Sequence, residues 1–501
     1  MHLRRSTAAG VAAALLAAGL AACSSDDTAS TSTTEPRPPS PTTTTTTTIV
    51  PGSEAPLEPD WAWQSGAPDD DTVEAATGRL DQVVLVGGAR RGPAAGEPGT
   101  QVVGLASADG AERYRTESPA DRSDDVARAV SSGSDGTTVA CGSLVSADTS
   151  GFLGSSEAWC APVDPVGALG ARTGSGSEGD DEVTGLAMSS GSEFAYLTAS
   201  TDGLYPGAED PTGGFLGERD ALLIRTDAEG RPRWARQFGT QGDDAANGVA
   251  VTADDDAVVA GTTSDEALGF DDGSLRRGGR DAWVARSDPF GNQRWLTPFG
   301  TSADDSGRAV AAGGDATRGT ETIVAVGSTN GDVRSSSDGA EQLVAPGSAP
   351  AAGGSDVLVA AVDAGGRQQW ITQLGSAGDD DAAGVVVDGE TVYVAGTAGD
   401  AIVGSQRVDV PGAADGAATG GRDAFLSAYD LATGTWRWTA VFGSPGDERV
   451  TGVALSDDGH VVVVGTTSGT LGATPISGGT DGFAVAFPVG SSGGGGAASS
   501  A

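Results

Sequence analysis

The chain has 501 residues, with 79 Gly, 24 Pro and 69 acidic residues against 29 basic ones, and its formal net charge is −40. This length exceeds one ordinary hydrophobic core, so several domains or an array of repeats is expected, and the acidic surface argues against binding to nucleic acid. All basic side chains are Arg, and the only two histidines are His2 and His460, which argues against a His-dependent catalytic triad or a multi-His zinc site.

The first 22 residues form a pattern typical of an export signal. A positive "MHLRR" precedes the apolar "STAAGVAAALLAAGLAA", and small residues lead to Cys23. The stretch resembles the bacterial lipoprotein signal, with Leu20, Ala21, Ala22 and Cys23 as its lipobox. The resemblance implies that residues 1–22 are removed, that Cys23 is lipidated, and that the protein is extracytoplasmic and membrane-anchored at the cell surface or periplasmic face. A plain secretory peptide with a chance Cys is the alternative.

Two segments lack the apolar residues needed for a core. Residues 23–60 are rich in Thr and Pro, which predicts a disordered tether that holds the following domain away from the membrane. Residues 490–501 read "GSSGGGGAASSA" and predict a flexible tail. The folded domain is therefore expected over 61–489. No second apolar run is long enough to span a membrane.

A repeat fills the expected domain. An acidic doublet recurs seven times, and each copy is followed by two short apolar runs, a variable loop and two further runs. Four short strands per unit without helical periodicity predict one blade of a β-propeller, so the fold class is all-β, with seven four-stranded antiparallel blades. The doublets are Asp69–Asp70, Asp124–Asp125, Asp180–Asp181, Asp243–Asp244, Asp304–Asp305, Asp379–Asp380 and Asp447–Glu448.

The turn between the third and fourth runs has a pattern of its own. It reads Asp-x-x-Gly-x-x-x-Trp in three copies, and a fourth copy is one residue longer. Asp can accept hydrogen bonds from the amides of the turn, Gly allows a positive φ, and the Trp is expected to fill the wedge between adjacent blades. The four aromatic positions are Trp234, Trp295, Trp370 and Trp438.

The two ends of the domain predict how the ring closes. The segment "WAWQSG" at 61–66 aligns with a fourth run, whereas the last copy ends after its third run, "DGFAVAFPV". We therefore expect the N-terminal strand to complete the last blade, which would remove both exposed sheet edges.

Blades of this kind resemble two known repeats. "GGRDAWVARSDPFGNQRWLTPFGTSADD" is similar to the bacterial SBBP-type β-propeller repeat, and the likeness is good from about 213 to 487 and diffuse from 61 to 212. A weaker likeness to pyrroloquinoline-quinone-type propellers lies in Ala428, Asp430, Thr433, Gly434 and Trp438. Because that motif occurs once, it indicates shared turn-and-Trp packing rather than a quinone.

The doublets and the Asp that begins each third run are expected on the same face of the disc. Carboxylates in a ring could bind calcium. The alternative, which the recurrence in every blade favours, is that each Asp caps a turn by accepting hydrogen bonds from backbone amides. We therefore predict no catalytic residue, no metal ligand and no cofactor, with calcium as the open alternative. The third-run positions are Asp220, Asp281, Asp356, Asp423 and Asp481.

Cys141 and Cys160 lie in neighbouring runs of the second copy, and export permits their oxidation. A disulfide is expected, with two unpaired thiols as the alternative. The same copy lacks the Trp, so the bridge could compensate for the lost packing.

The variable loops, of which 328–356 is the longest, are where recognition could occur, although tolerated insertion is an equal explanation. The function predicted is a non-catalytic module, monomeric, that binds or scaffolds an unidentified protein or glycan. The alternatives are an envelope-assembly scaffold and a propeller-fold glycan hydrolase or lyase.

Overall fold

The computed structural model describes residues 51–66, 70–90, 99–118, 126–145, 156–189, 191–207, 217–264, 279–314, 319–335, 343–413 and 420–489. The predicted leader 1–22, Cys23, most of the tether, the tail 490–501, Asp69, Asp124 and Asp125 lie outside these ranges. The described segments are β-strands joined by turns, and none of them forms a helix capable of crossing a bilayer.

The first three blades follow one another along the chain. The N-terminal strand is β1 (Trp61–Gln64). Blade 1 contains β2 (Asp70–Asp71), β3 (Ala75–Arg79), β4 (Gln82–Arg90), β5 (Gly99–Ala106) and β6 (Glu112–Glu117). Blade 2 contains β7 (Val126–Ser132), β8 (Thr138–Val145), β9 (Ser156–Val163) and β10 (Thr173–Ser175). Blade 3 contains β11 (Asp181–Met188), β12 (Phe194–Thr201), β13 (Asp220–Asp227) and β14 (Pro232–Phe238).

The remaining blades repeat the same order. Blade 4 contains β15 (Asp244–Val251), β16 (Ala257–Thr263), β17 (Asp281–Ser287) and β18 (Gln293–Phe299). Blade 5 contains β19 (Asp305–Gly313), β20 (Thr322–Thr329), β21 (Asp356–Asp363) and β22 (Gln368–Leu374). Blade 6 contains β23 (Asp381–Asp388), β24 (Thr391–Ala398), β25 (Gln406–Arg407), β26 (Asp423–Asp430) and β27 (Trp436–Phe442). Blade 7 contains β28 (Glu448–Leu455), β29 (His460–Thr467) and β30 (Asp481–Pro488).

The four main strands of each blade pair antiparallel, and a short fifth strand is present in blade 1 and in blade 6, where β25 pairs parallel with β27. The innermost strands of neighbouring blades, β3 in blade 1 and the first strand in the others, are in contact all around the ring. The predicted seven-bladed β-propeller is therefore confirmed. The predicted closure is also present, because β1 pairs antiparallel with β30 as the fourth strand of blade 7, with Trp61 opposite Ala486 and Gln64 opposite Phe483.

The hydrophobic core is divided into wedges between blades. The second and third strands of most blades are buried on both faces, because each sheet is covered by a neighbour on either side. Within the described residues, the buried apolar side chains form clusters that each join two adjacent blades, including blades 7 and 1. Burial of an aliphatic or aromatic side chain contributes about 1.5–3 kcal/mol, so these wedges hold the ring together.

The last ten residues of the predicted tether, 51–60, lie against the propeller. The Gly52 amide donates to the Trp436 carbonyl at 3.1 Å, and the Asp60 amide donates to the Ala486 carbonyl at 3.1 Å. Leu57 packs against the core between blades 6 and 7. Contact with the folded domain thus begins before Trp61.

Candidate functional site

The second acid closes the turn that precedes it in five of the described doublets. Asp305 accepts the Thr301 amide at 2.6 Å, and Asp380 accepts the Ser376 amide at 2.5 Å and the Ser376 hydroxyl at 2.9 Å. Asp181, Asp244 and Glu448 repeat this arrangement with Ser177, Thr240 and Ser444. These acids are nearly inaccessible to solvent. They cap turns, as the sequence pattern predicts.

The first acid of the doublet links its blade to the preceding one. Asp304, which precedes β19, accepts the amides of Gly279 and Arg280 in blade 4 at 3.0 and 3.2 Å. Asp447 accepts the amides of Gly421 and Arg422 in blade 6 at 3.1 and 3.2 Å. The aspartates therefore connect neighbouring blades as well as holding turns.

The structure corrects the first doublet, which the sequence pattern placed at Asp69–Asp70. Asp70 takes the linking position, because it accepts the amides of Gly479 and Thr480 in blade 7 at 2.7 and 3.1 Å. The buried second acid is Asp71, which is 1% exposed. Three consecutive aspartates at 69–71 made the register ambiguous, and the pairing across the closed ring resolves it.

A pair of carboxyl groups lies at each described junction between blades. Asp220 and Asp244 face each other across Gly239, where an added Cβ would lie 2.2 Å from Asp220 Oδ1 and 3.1 Å from Asp244 Oδ2. Asp423 and Glu448 flank Gly443 in the same way, at 2.2 and 2.5 Å. The Gly in the repeated "FG" is therefore required because no Cβ fits between the two acids.

Burial raises the pKa of the second acid at these junctions. The pKa values of Asp71, Asp181 and Asp305 rise to about 6, mainly because burial disfavours the charged form, with a further contribution from the neighbouring acid. The pKa values of Asp244, Asp380 and Glu448 are raised for the same reasons. In the described part of the chain, no group of three or more His, Cys, Asp or Glu side chains has an arrangement suited to a metal ion.

The aromatic residues of the repeat pack against the turn of the next blade. Trp295 donates from Nε1 to the Ala364 carbonyl at 2.9 Å, and Trp370 donates to the Leu431 carbonyl at 2.9 Å. Trp234 makes the same contact with Pro289 at 3.1 Å. Trp438 lies in the core between blades 6 and 7. In the turns, Asp288 and Asp363 accept two backbone amides each, and the turn glycines have a positive φ.

Blade 2 lacks the aromatic residue and has a disulfide in its place. Cys141 and Cys160 lie opposite each other on β8 and β9 and are bonded, with a Cα–Cα distance of 4.1 Å. Cys160 packs against the turn glycine of blade 3, because a Cβ on Gly230 would lie 2.6 Å from Cys160 Cβ. The disulfide therefore fills the position that Trp occupies in other blades.

A central channel is lined by one residue from each blade, at the point where the regular strand pairing near the axis is interrupted. In blades 2 to 7 this residue is a β-bulge, and in blade 1 it lies between β2 and β3. Bulges redirect a side chain out of the sheet pattern. We call these seven positions the channel ring: Glu74, Arg128, Thr184, Asn247, Arg308, Ala383 and Thr451.

The uncharged polar members of the channel ring donate hydrogen bonds to the adjacent blade. Asn247 Nδ2 donates to the Gly307 carbonyl at 2.7 Å, and Thr451 Oγ1 donates to the Val73 carbonyl at 2.7 Å. Arg308 makes no hydrogen bond or ion pair within the described residues and is exposed to the channel. Ala383, the smallest member, lies in the next blade and leaves space beside Arg308.

That space is a cleft of about 560 Å³ at the mouth of the channel, between blades 5, 6 and 7. It opens on the face that carries the doublets and the variable loops, as the ends of β20, β24 and β29 lie at its rim. Seven of its seventeen described lining residues bear hydroxyls, and two of these, Thr397 and Thr467, are buried. The seven are Ser306, Ser328, Thr397, Thr466, Thr467, Ser468 and Thr480. Its volume lies within the range of about 300–1,000 Å³ typical of small-ligand sites.

The charges of the cleft are unequally paired. Asp381 forms an ion pair with Arg422 at 3.3 Å, whereas Arg308 and Arg449 have no ion pair among the described residues. The Arg308 side chain reaches the channel but lies among the strands that surround it, and this desolvation, followed by the nearby charge of Arg449, holds the pKa of its guanidinium below the ordinary value. Arg308 and Arg449 thus lack a direct ion pair among the described residues, while Asp381, Glu74 and Glu182 attract Arg308 at longer range.

The sequence reasoning did not single out this cleft. A regular signal was nevertheless available, because every member of the channel ring lies four residues after the first acid of its doublet once blade 1 is registered on Asp70. At this position of the repeat, blades 1 to 7 carry Glu, Arg, Thr, Asn, Arg, Ala and Thr. The residue type at this position varies between blades: three uncharged polar members bond to the next blade, whereas Arg308 makes no hydrogen bond or ion pair among the described residues.

The fold and the cleft define a seven-bladed β-propeller with a ligand-sized opening at one end of its channel. No protein-family model matches the sequence, and no curated protein sequence is significantly similar to it. The chain is similar in structure to the β-propeller domain of the Trilobed protease from Pyrococcus furiosus, with 10% identity, a TM-score of 0.41, and coverage of 85% of this chain and 94% of that one. It is also similar to Sqt1 of Saccharomyces cerevisiae, with 11% identity, a TM-score of 0.40, and coverage of 87% and 100%.

Proposed function

We propose that the protein is a lipid-anchored, extracytoplasmic binding module that holds its ligand in the cleft at the channel mouth and performs no chemistry on it. The observation that carries this function is the presence of Arg308 and Arg449, both without an ion pair among the described residues, in a cleft of about 560 Å³. Charged groups that the fold does not pair are available to a ligand. The SBBP-like repeats between about 213 and 487 are consistent with a scaffold of this kind.

The acids of the cleft support binding rather than hydrolysis. A glycosidase requires two carboxyl groups free to act as acid and as base or nucleophile. Asp381 is paired with Arg422, and Asp447 accepts two backbone amides. Glu448 accepts hydroxyl hydrogen bonds from Ser444 and Thr467 and is 1% exposed. Each of these carboxylates is engaged in holding the blades.

The anchoring part of the proposal rests on the lipobox at 20–23. It is tested by expressing the full chain and Cys23→Ala in a bacterial host with metabolic palmitate labelling and cell fractionation. We expect label and membrane association for the natural chain, and loss of both for the variant. Unlabelled but membrane-associated natural chain would contradict the lipid anchor.

The binding part is tested by filling the cleft. Ala383→Trp places a large ring beside Arg308, and Ala111→Trp is a matched control at an exposed turn of the opposite face. The chain without its leader is sedimented with isolated cell envelopes, and its melting temperature is measured separately. We expect Ala383→Trp to reduce retention while the protein still melts above the temperature of the assay, and Ala111→Trp to leave retention unchanged. Equal retention of both variants would contradict a ligand site in the cleft.

A further inference from the structure

The cleft combines three features that together specify the chemistry of a ligand. Arg308 and Arg449 present guanidinium groups, which bind carboxylate and phosphate oxygens through paired hydrogen bonds. The wall supplies partly exposed hydroxyls from blades 5 and 7, at Ser306, Ser328, Thr466, Ser468 and Thr480. Hydroxyls both donate and accept hydrogen bonds, so they suit a ligand that itself carries many hydroxyls.

The described lining of the cleft has few apolar side chains and no aromatic one, which argues against a peptide. Among the described residues that line the cleft, the apolar ones are Ala382, Ala383 and Val450, and none is aromatic. Binding of a peptide or protein is usually dominated by Trp, Tyr or Arg anchors that fill apolar pockets. A hydroxyl-rich wall with a cationic end instead suits a sugar that carries an acidic group.

We propose that the cleft binds an acidic carbohydrate, with its carboxylate or phosphate group held by Arg308 and Arg449 and its hydroxyls held by the Ser and Thr wall. This proposal rests on the proposed binding function and names the ligand class of the same cleft. Asp381, at the edge of the cleft, is placed to accept a hydrogen bond from a sugar hydroxyl while it remains paired with Arg422.

The overall charge of −40 does not prevent such a complex. Exposed charges farther away than about 8–10 Å are largely screened at physiological salt, whereas groups in contact inside a cleft are screened much less. The two arginines therefore dominate at contact distance. Binding is expected to persist at physiological ionic strength.

The test compares defined ligands by calorimetry on the chain without its leader. The probes are a uronic-acid trisaccharide, its methyl ester, a glycerol-phosphate oligomer and a glutamate peptide of similar charge. We expect one or both acidic carbohydrates to bind at least about tenfold more tightly than the methyl ester and the peptide, since one charge-assisted contact accounts for about that ratio. The trisaccharide and the phosphate oligomer distinguish the two sources of the acidic group.

Variants then assign the binding to the arginines. Arg308→Gln and Arg449→Gln are each expected to weaken binding about tenfold, and Arg308→Lys is expected to restore part of it by keeping the charge. Arg367→Gln, an exposed residue on the opposite face, is the matched control and should bind as the natural chain does. Melting temperatures of all four are measured so that a folding defect is recognised.

The proposal is overturned if neither acidic carbohydrate binds, if the methyl ester or the peptide binds as tightly as they do, or if the two Gln variants bind normally. Its failure is distinguishable from failure of the binding function. If Ala383→Trp abolishes envelope retention while Arg308→Gln does not, the cleft is a binding site and the ligand class is wrong. If neither affects retention, the binding function itself is wrong.

Discussion

Gly434 in blade 6 lies directly on the indole ring of Trp370 in blade 5, and a Cβ at Gly434 would come within 2.5 Å of that ring. The same Trp donates to the Leu431 carbonyl in the same turn. One side chain of each outer strand thus holds the turn of the following blade. The motif that resembles quinone-type propellers at 428–438 is part of this packing.

Loss of Trp370 is expected to destabilise the ring strongly. The side chain is 2% exposed, and Trp→Ala at a buried site costs about 3–5 kcal/mol. Trp370→Ala should therefore lower the midpoint of chemical denaturation by a matching amount. Phe290→Ala is the control, because Phe290 is 73% exposed. Similar effects of the two substitutions would contradict wedge packing by the repeated Trp.

Removal of the N-terminal strand is expected to open the ring. Gln64 Nε2 donates to Asp481 Oδ2 at 2.8 Å, and Trp61 Nε1 donates to the Ser107 carbonyl at 2.8 Å, so β1 ties blade 7 to blade 1. A chain that starts at Ala67 exposes β30 as an edge and should aggregate or be cleaved rapidly by protease. A chain that starts at Pro51 is the control. An unchanged melting temperature in the shorter chain would contradict this closure.

Stability is expected to fall as the pH rises through about 6. The pKa values of Asp71, Asp181 and Asp305 are raised from 3.8 to about 6 in the folded state by burial. Between pH 3.8 and about pH 6 the folded state therefore binds more protons than the unfolded state. The contribution of these carboxyl groups to the free energy of unfolding falls through this range and is lost above about pH 6. We expect the melting temperature to be higher at pH 5 than at pH 7.5.

Asp305→Asn tests the origin of this pH dependence. The amide cannot ionise, so the variant should lose part of the decrease in melting temperature between pH 5 and pH 7.5. Asp457→Asn alters an exposed carboxyl group and serves as the control. The same slope in Asp305→Asn and the natural chain would show that the junction carboxyls are not responsible.

Reduction of the disulfide is expected to destabilise blade 2. A bridge between residues 19 apart contributes about 3 kcal/mol. Dithiothreitol should therefore lower the denaturation midpoint of the natural chain and leave that of the double variant Cys141→Ala/Cys160→Ala unchanged. If dithiothreitol lowered the midpoint equally in the natural chain and in the double variant, the disulfide would not be the cause of the effect.

Calcium is expected to have no effect on stability. Asp305, Asp380 and Glu448 accept hydrogen bonds from protein amides and hydroxyls on both carboxyl oxygens. In the described residues, no group of three or more His, Cys, Asp or Glu side chains is arranged to hold a metal ion. A bound ion at one hundred times its Kd would add about 2.7 kcal/mol. Melting temperatures measured with excess calcium and with EDTA should agree, and a calcium-dependent rise would restore the metal alternative.

The number of blades, the strand order and the closure of the ring could be predicted from local patterns in the amino-acid sequence. Short apolar runs in a repeated order, turn motifs with Asp and Gly, and a spare Trp-containing strand at residue 61 are local signals, each carried by a few neighbouring residues. Each pattern occurs in several copies, so the weak copy in blade 1 could be interpreted by comparison with the clear copy in blade 4.

Tertiary structure alone decided which side chains meet. Asp220 and Asp244 are 24 positions apart, and their shared burial follows from the packing of blade 3 against blade 4. The register of Asp70–Asp71 was fixed only by contact with Gly479 at the other end of the domain. Likewise Arg308, Ala383 and Arg449 form one cleft because the ring brings three first strands to a common axis. Which distant residues come close in a closed ring depends on the geometry of the whole domain, and local sequence patterns do not predict it.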